Sequence, residues 1–271
     1  MTPTEIHPTA IVDPAASLGA GVRVGAYAIV GPHVSLGDGV EVMAHAVVHG
    51  HTEVGARTRI HCHAVLGGAP QDLKYKGEPT RLVVGENNQI RENVTLNVGT
   101  VQGGGLTRVG SNTMMMANSH VAHDCVVGDR VILANNVMLA GHVVVQDGAI
   151  LNGGAGVHHF TTIGAFAYVG GLSRITKDAP PYHIVEGHPS RVRGVNVIGL
   201  KRAGFTDAAV QAVKEAHKLL FRSDLTMRDA LRRLKVDFAD VREVMELVKF
   251  LEASETGRQG RQGEKPRGKS P

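Results

Sequence analysis

Leu18-Gly19-Ala20-Gly21-Val22-Arg23-Val24-Gly25-Ala26-Tyr27-Ala28-Ile29-Val30-Gly31-Pro32-His33-Val34-Ser35-Leu36-Gly37-Asp38 places an aliphatic residue on every sixth position. Upstream, the same beat takes in Ile6 and Val12. Downstream it continues through Val42, Val48, Val54 and Ile60 to Leu66. After a break it resumes at Val109. It then runs through Met115, Val121, Val127, Leu133, Leu139, Val145, Leu151, Val157, Ile163 and Val169 to Ile175. Ile, Leu, Val and Met make up about a quarter of the chain, so eleven hits in register by chance is on the order of one in a million. A period of six fits neither a 3.6-residue helix nor an alternating strand. It fits a parallel β-helix, in which short strands alternate with turns and the aliphatic residue points inward. Successive coils then hydrogen-bond at a spacing of about 4.8 Å. The glycine that often follows the aliphatic residue is expected to serve the tight turn.

Composition agrees with a stacked repeat. The 271 residues include 34 glycines, no tryptophan and few aromatics, so identical small aliphatic layers must supply the core. The net charge of +4 is modest, and the last eighteen residues hold five Arg or Lys against two Glu. The remainder is close to neutral, and nucleic acid is not implied as a partner. Cys62 and Cys125 form no metal motif, which suits a reduced, cytoplasmic chain. Neither a signal peptide nor a membrane-spanning run is expected.

The repeat divides the chain. Residues 1–180 form the β-helix domain and Pro180-Pro181 ends it. Residues 181–203 read as a connector. Residues 204–253 read as three helices, the first capped by Thr206 and the second by Thr226 with Asp229. Residues 254–271 contain no apolar side chain and are expected to be a disordered basic tail. Two breaks interrupt the beat: a loop at 67–81, and Gln102-Gly103-Gly104-Gly105, which shifts the phase by one residue. Loops extruded from a regular solenoid are candidate site elements.

If three hexads make one triangular coil, residues eighteen apart stack. Val121, Leu139 and Val157 then form one inward column, and His123, His142 and His158 gather on one face. Gly141 lies over His123, and His120 sits at the turn just before. Four clustered histidines admit two chemistries. One is general-base catalysis, because neutral imidazole transfers protons near neutral pH. The other is a zinc site.

Several motifs carry a resemblance. Gln71-Asp72-Leu73-Lys74-Tyr75 with Gly77-Glu78-Pro79-Thr80-Arg81 is similar to the loop of the UDP-N-acetylglucosamine O-acyltransferases of lipid A biosynthesis. Gly99 to Gly105, Ala122-His123-Asp124-Cys125, Leu133-Ala134-Asn135-Asn136, Leu139-Ala140-Gly141-His142, Gly194-Val195-Asn196 and Gly199-Leu200-Lys201-Arg202 resemble the same family. The resemblance reaches to about residue 250. It implies a left-handed parallel β-helix with a C-terminal α-helical domain, assembled as a homotrimer with sites between subunits. It implies transfer of an (R)-3-hydroxyacyl group from acyl carrier protein to the sugar's 3-position, in the cytoplasm, as the first step towards lipid A. No resident cofactor or metal is implied; the acyl group rides on the carrier's phosphopantetheine arm.

Under this resemblance His123 is the general base, Asp124 orients it, and the Gly141 N–H meets the oxyanion. Gln71, Asp72, Lys74, His120, His142 and His158 become substrate contacts. Asn196 and Arg202 lie towards the uridine diphosphate or carrier, and Gly171 lies in the region that sets acyl length. Cys125 reads as a buried thiol rather than a nucleophile. Two departures bear on the acceptor. His159 stands where the family usually has Gln, and Asn97-Val98-Gly99 stands where many members have His-Arg-Gly. The acceptor atom, a 3-hydroxyl or a 3-amine, therefore stays open. The rivals are a γ-type carbonic anhydrase with three-histidine zinc, the later N-acyltransferase of the pathway, and a non-catalytic scaffold.

Overall fold

A computed structural model describes residues 3–264. The hexads form a left-handed parallel β-helix of three faces, each coil contributing one short strand to each face. The first face runs through Arg23–Val24, Arg59–Ile60, Ile132–Leu133 and Tyr168–Val169. The second runs through Ile29–Val30, His120–Val121, Met138–Leu139 and Arg174–Ile175. The third runs through Val34–Leu36, Val126–Val127 and Thr162–Ile163. Residues eighteen apart pair in parallel, as in Val121 with Leu139 and Leu139 with Val157. The aliphatic column is the core, with Ile60, Leu66, Leu96, Met115, Leu133 and Leu151 wholly buried. Each such side chain contributes about 1.5–3 kcal/mol, and stacking makes the layers mutually dependent.

The turns are built differently from the expectation. The left-handed backbone falls on the third residue after the aliphatic, for example Tyr27 (φ 58), Asp124 (φ 61) and His142 (φ 62). The glycine directly after the aliphatic is needed for close approach: a Cβ on Gly25 would lie 2.9 Å from the Ala44 nitrogen of the next coil. Both breaks are extrusions that leave the coils in register. Val54 pairs with Val84 across the first and Val84 with Val109 across the second.

The connector is more ordered than the sequence suggested. His183–Gly187 adds a parallel strand to the first face and turns back antiparallel through Ser190–Val195. This hairpin ends the sheet on a twisted, bulged edge. Helix α1 (Val197–Arg202) follows, then α2 (Asp207–Phe221), α3 (Met227–Asp237) and α4 (Arg242–Thr256). Thr206 accepts from the Ala209 N–H and Thr226 from the Asp229 N–H, as their cap positions require.

The tail also departs from expectation. Ser254 and Thr256 belong to α4, and residues 258–264 fold back onto the last coil. The half-buried Asp178 carboxylate accepts from the Ser254 hydroxyl and the Gln262 N–H at 2.7 and 2.8 Å. Arg261, only 5% exposed, donates to the Thr176 carbonyl and pairs with Glu264. A polar tail is thus ordered by groups that would otherwise be buried unpaired. The rest of the expected disordered segment, 265–271, lies outside the described residues.

His183 couples the hairpin to α2. It is fully buried, donates from Nδ1 to the Pro181 carbonyl at 2.7 Å, and packs against His217 and Phe221. Burial pushes its pKa down to about 4. The unfolded chain takes up this proton near pH 6.5 and the folded chain does not. The stabilisation is present above pH 6.5 and is lost progressively as pH falls towards 4, for about 3 kcal/mol. Denaturant midpoints measured from pH 7 to 4.5 should fall less steeply in His183→Phe than in the wild type.

Candidate active site

His123 and Asp124 follow the inward Val121 at the corner between the second and third faces. The His123 ring lies over Gly141 of the next coil, and the Asp124 carboxylate turns to the segment extruded before it. His123 is 8% exposed, and its Nδ1 lies 2.7 Å from Asp124 Oδ2. An ionised carboxylate only accepts, so Nδ1 carries the proton and Nε2 is left as the base. Asp124 is itself held. The Thr100 N–H and hydroxyl donate to its two oxygens at 2.7 and 2.6 Å, and its own N–H donates to Thr107 Oγ1 at 2.8 Å. This explains the second break. The extruded segment wraps the carboxylate so closely that a Cβ on Gly103 would lie 2.0 Å from Asp124 Cγ.

Gly141 is equally constrained. A Cβ there would lie 2.5 Å from His123 Cε1 and 2.7 Å from Nε2. Its carbonyl accepts from Phe160, while its N–H donates no hydrogen bond among the described residues. A free N–H beside the base is what an oxyanion requires. His142 stacks on Phe160 at 4.4 Å and meets His123 edge-on, with Nε2 3.6 Å from Asp124 Oδ2. Burial holds its pKa below the ordinary value in spite of that carboxylate. Burial likewise lowers His120, whose Nδ1 is 2.7 Å from Thr95 Oγ1.

Gln71, His120, His123, Gly141 and His158 line one cavity of about 570 Å³ on the second face, together with Met138, Gly156, His159 and Arg174. Asp72 stands on the loop above. The Lys74 N–H donates to it at 3.0 Å and holds its carboxyl below the usual range, helped by Lys74, His123 and His142. The Lys74 ammonium makes no ion pair among the described residues. The base of the loop is fastened by Asn97, whose amide donates to the Gly68 and Ala69 carbonyls at 3.3 and 3.1 Å.

Asn196 and Arg202 are elsewhere. They line a second cavity of about 870 Å³ on the first face, with Arg130, Ile150, Tyr168 and Ile198. Asn196 caps α1: its Oδ1 accepts from the Gly199 N–H and its amide donates to the Phe166 carbonyl. Gly171 lines neither cavity. It sits at the corner between the two faces, where a Cβ would lie 3.3 Å from the Gly153 carbonyl. Thr95, Thr100, Thr107 and Phe160 were not found from sequence. Only the spacing of the second break hinted at Thr100. Cys125 is buried, its thiol pushed up to about 12 and donating to the Ala140 carbonyl.

Donor atoms of His123, Asp124 and His142 lie within 4.8 Å of one another, a spacing compatible with a metal ion. Comparison with known proteins identifies the family. The model of the UDP N-acetylglucosamine O-acyltransferase domain 2 family matches residues 178–259, and the bacterial transferase hexapeptide model matches 106–141. An acyl-[acyl-carrier-protein]–UDP-N-acetylglucosamine O-acyltransferase of Myxococcus xanthus is 52% identical over 87% of this chain and 91% of its own. That of Paracidovorax citrulli is 56% identical over 86% and 88%.

The chain belongs to this acyltransferase family.

A solved LpxA from Acinetobacter baumannii, 42% identical, covers 96% of the chain and 99% of its own with a TM-score of 0.89. A UDP-N-acetylglucosamine acyltransferase from Bacteroides fragilis, 35% identical, covers 91% and 96% with 0.87. The likeness therefore spans β-helix and helical domain together, and the chain is an acyltransferase. No helix among the described residues is long and apolar enough to cross a membrane.

Proposed function

We propose that this chain transfers an (R)-3-hydroxyacyl group from acyl carrier protein to the 3-position of UDP-N-acetylglucosamine, the first step of lipid A biosynthesis in the cytoplasm. The observation that carries the mechanism is the Thr100–Asp124–His123 chain ending on a free Nε2 beside the unpaired Gly141 N–H. Nε2 takes the proton of the sugar hydroxyl as its oxygen attacks the thioester carbon. The Gly141 N–H stabilises the resulting oxyanion. As the intermediate collapses, the C–S bond breaks and the imidazolium returns its proton to the departing phosphopantetheine sulfur. The products are an ester and a free thiol, and no acyl-enzyme or resident cofactor is needed.

Gln71, Asp72 and Lys74 grip the sugar nucleotide from the loop, His120 and His158 complete its pocket, and His142 contacts the substrate from beside His123. Asn196 and Arg202 serve the diphosphate or the carrier, Arg202 because a guanidinium suits phosphate. One chain carries Gln71, His120, His123 and His158 in one cavity and Asn196 and Arg202 in another, on different faces. A single site uses both sets only if they come from different copies, which supports a cyclic homotrimer. Asn97, in place of the usual histidine at the loop base, keeps a 3-amino acceptor as the second reading.

Incubation with a mixture of acyl carrier proteins and both sugar nucleotides, followed by mass spectrometry, tests this reading. A 3-O-hydroxyacyl product is expected. Exclusive formation of the amide would transfer the assignment to the amino sugar, and no acyl product at all would end it.

A further inference from the structure

The assembly has a consequence at the corner between the first and second faces. The base-bearing cavity opens on the second face and the Arg202 cavity on the first, so this corner separates them. For one copy's second face to meet the next copy's first face, the shared corner must point at the threefold axis. Three corners of triangular prisms fill only half the turn around that axis. The other half is left as three wedge-shaped clefts, which are the places the split site needs.

The residues at the tip of this corner form a column, one per coil, all with left-handed backbone. From the N-terminus they are Tyr27, His45 and His63, then Asn93, Asn118 and Asn136, and last Gly154 and Leu172. Asparagine is what a left-handed turn alone favours. The histidines add something more. His45 and His63 are exposed, and their rings stack 5.0 Å apart at 8°. Tyr27 stacks on His45 at 5.2 Å and closes the column from below. Neither His45 nor His63 makes a side-chain hydrogen bond or ion pair within the chain, among the described residues.

Two stacked imidazoles repeated three times around an axis bring two rings of three nitrogen ligands into one small volume. Imidazole suits zinc and nickel, and three histidines suffice to hold either. We propose that His45 and His63 of three chains form a binding site for a divalent transition-metal ion on the trimer axis, remote from the catalytic pocket. The inference rests on the threefold assembly proposed above. A single copy offers only two of the ligands, so the site exists only in the assembly, and the ion clamps the three chains together at one end.

Zinc titration of the EDTA-treated full-length protein by calorimetry, with native mass spectrometry of the same samples, tests the proposal. The expected result is a trimer that binds one or two ions for every three chains, tighter than about 10 µM. His45→Phe/His63→Phe keeps the stacked column, so this variant should stay trimeric and active in acyl transfer while losing the ion. His123→Ala should retain it. A trimer that binds no zinc overturns the axial site and leaves the assembly standing. One ion per chain, kept in the double phenylalanine variant and lost in His123→Ala, overturns it in favour of the His123, Asp124 and His142 cluster. A monomer overturns the assembly itself, and the axial site with it.

Discussion

Replacing His123 with alanine is expected to lower kcat/KM for acyl transfer by about 10²–10⁴, the usual contribution of a positioned general base. The fold should tolerate the change. His123 lies at the wall of a cavity, and Asp124 keeps its three bonds to Thr100 and Thr107 when the imidazole is gone. Thermal unfolding should therefore move by no more than a few degrees while turnover collapses. Steady-state kinetics with purified acyl carrier protein substrate would measure the loss. Activity within about tenfold of the wild type would show that another group removes the proton, and His120, His142, His158 and His159 would need to be examined in turn.

The second large effect is expected at Gly141. Alanine there puts a Cβ 2.5 Å from the His123 ring, inside any tolerable contact, and beside the N–H assigned to the oxyanion. One of two atoms must move. His123 is the freer, because its ring is held only through Nδ1, whereas Gly141 is part of a coil hydrogen-bonded above and below. The ring swings away from its working position, and kcat should fall by about 10²–10³. A double-mutant cycle separates the two roles. If displacement of the ring dominates, Gly141→Ala should cost little once His123 is already alanine. If obstruction of the N–H by the new methyl group dominates, the two losses should multiply.

The β-helix was legible because its stabilising interaction is also its sequence signature. An inward aliphatic every six residues is both the core and the pattern, and the eighteen-residue stacking places His123, Gly141 and His142 together before any coordinate is known. What was not legible depends on departures from the repeat. Thr100 reaches Asp124 through an extruded segment, whose path the hexads do not dictate. The hairpin at His183–Gly187 arises because the open first face accepts one more strand, a long-range pairing with no local sign. The tail was misread because composition describes a free segment, whereas Arg261 and Gln262 are ordered by the carbonyl of Thr176 and the carboxylate of Asp178. The role of turn glycines was misplaced by two residues. Side chains such as Tyr27, Asp124 and His142 occupy the left-handed position that glycine seemed to be needed for, held there by the coils on either side.

The separation of His123 and Arg202 into two cavities of one chain also bears on inheritance. In the proposed trimer every chain lends its imidazole to one site and its guanidinium to another. A chain inactivated at His123 and a chain inactivated at Arg202 are each inert alone. Co-expressed, they assemble into mixed rings, and every mixed ring contains one interface where an intact His123 faces an intact Arg202. Two defective alleles would then complement each other in a single cell, and the activity recovered would follow the statistics of subunit mixing rather than any repair of either chain.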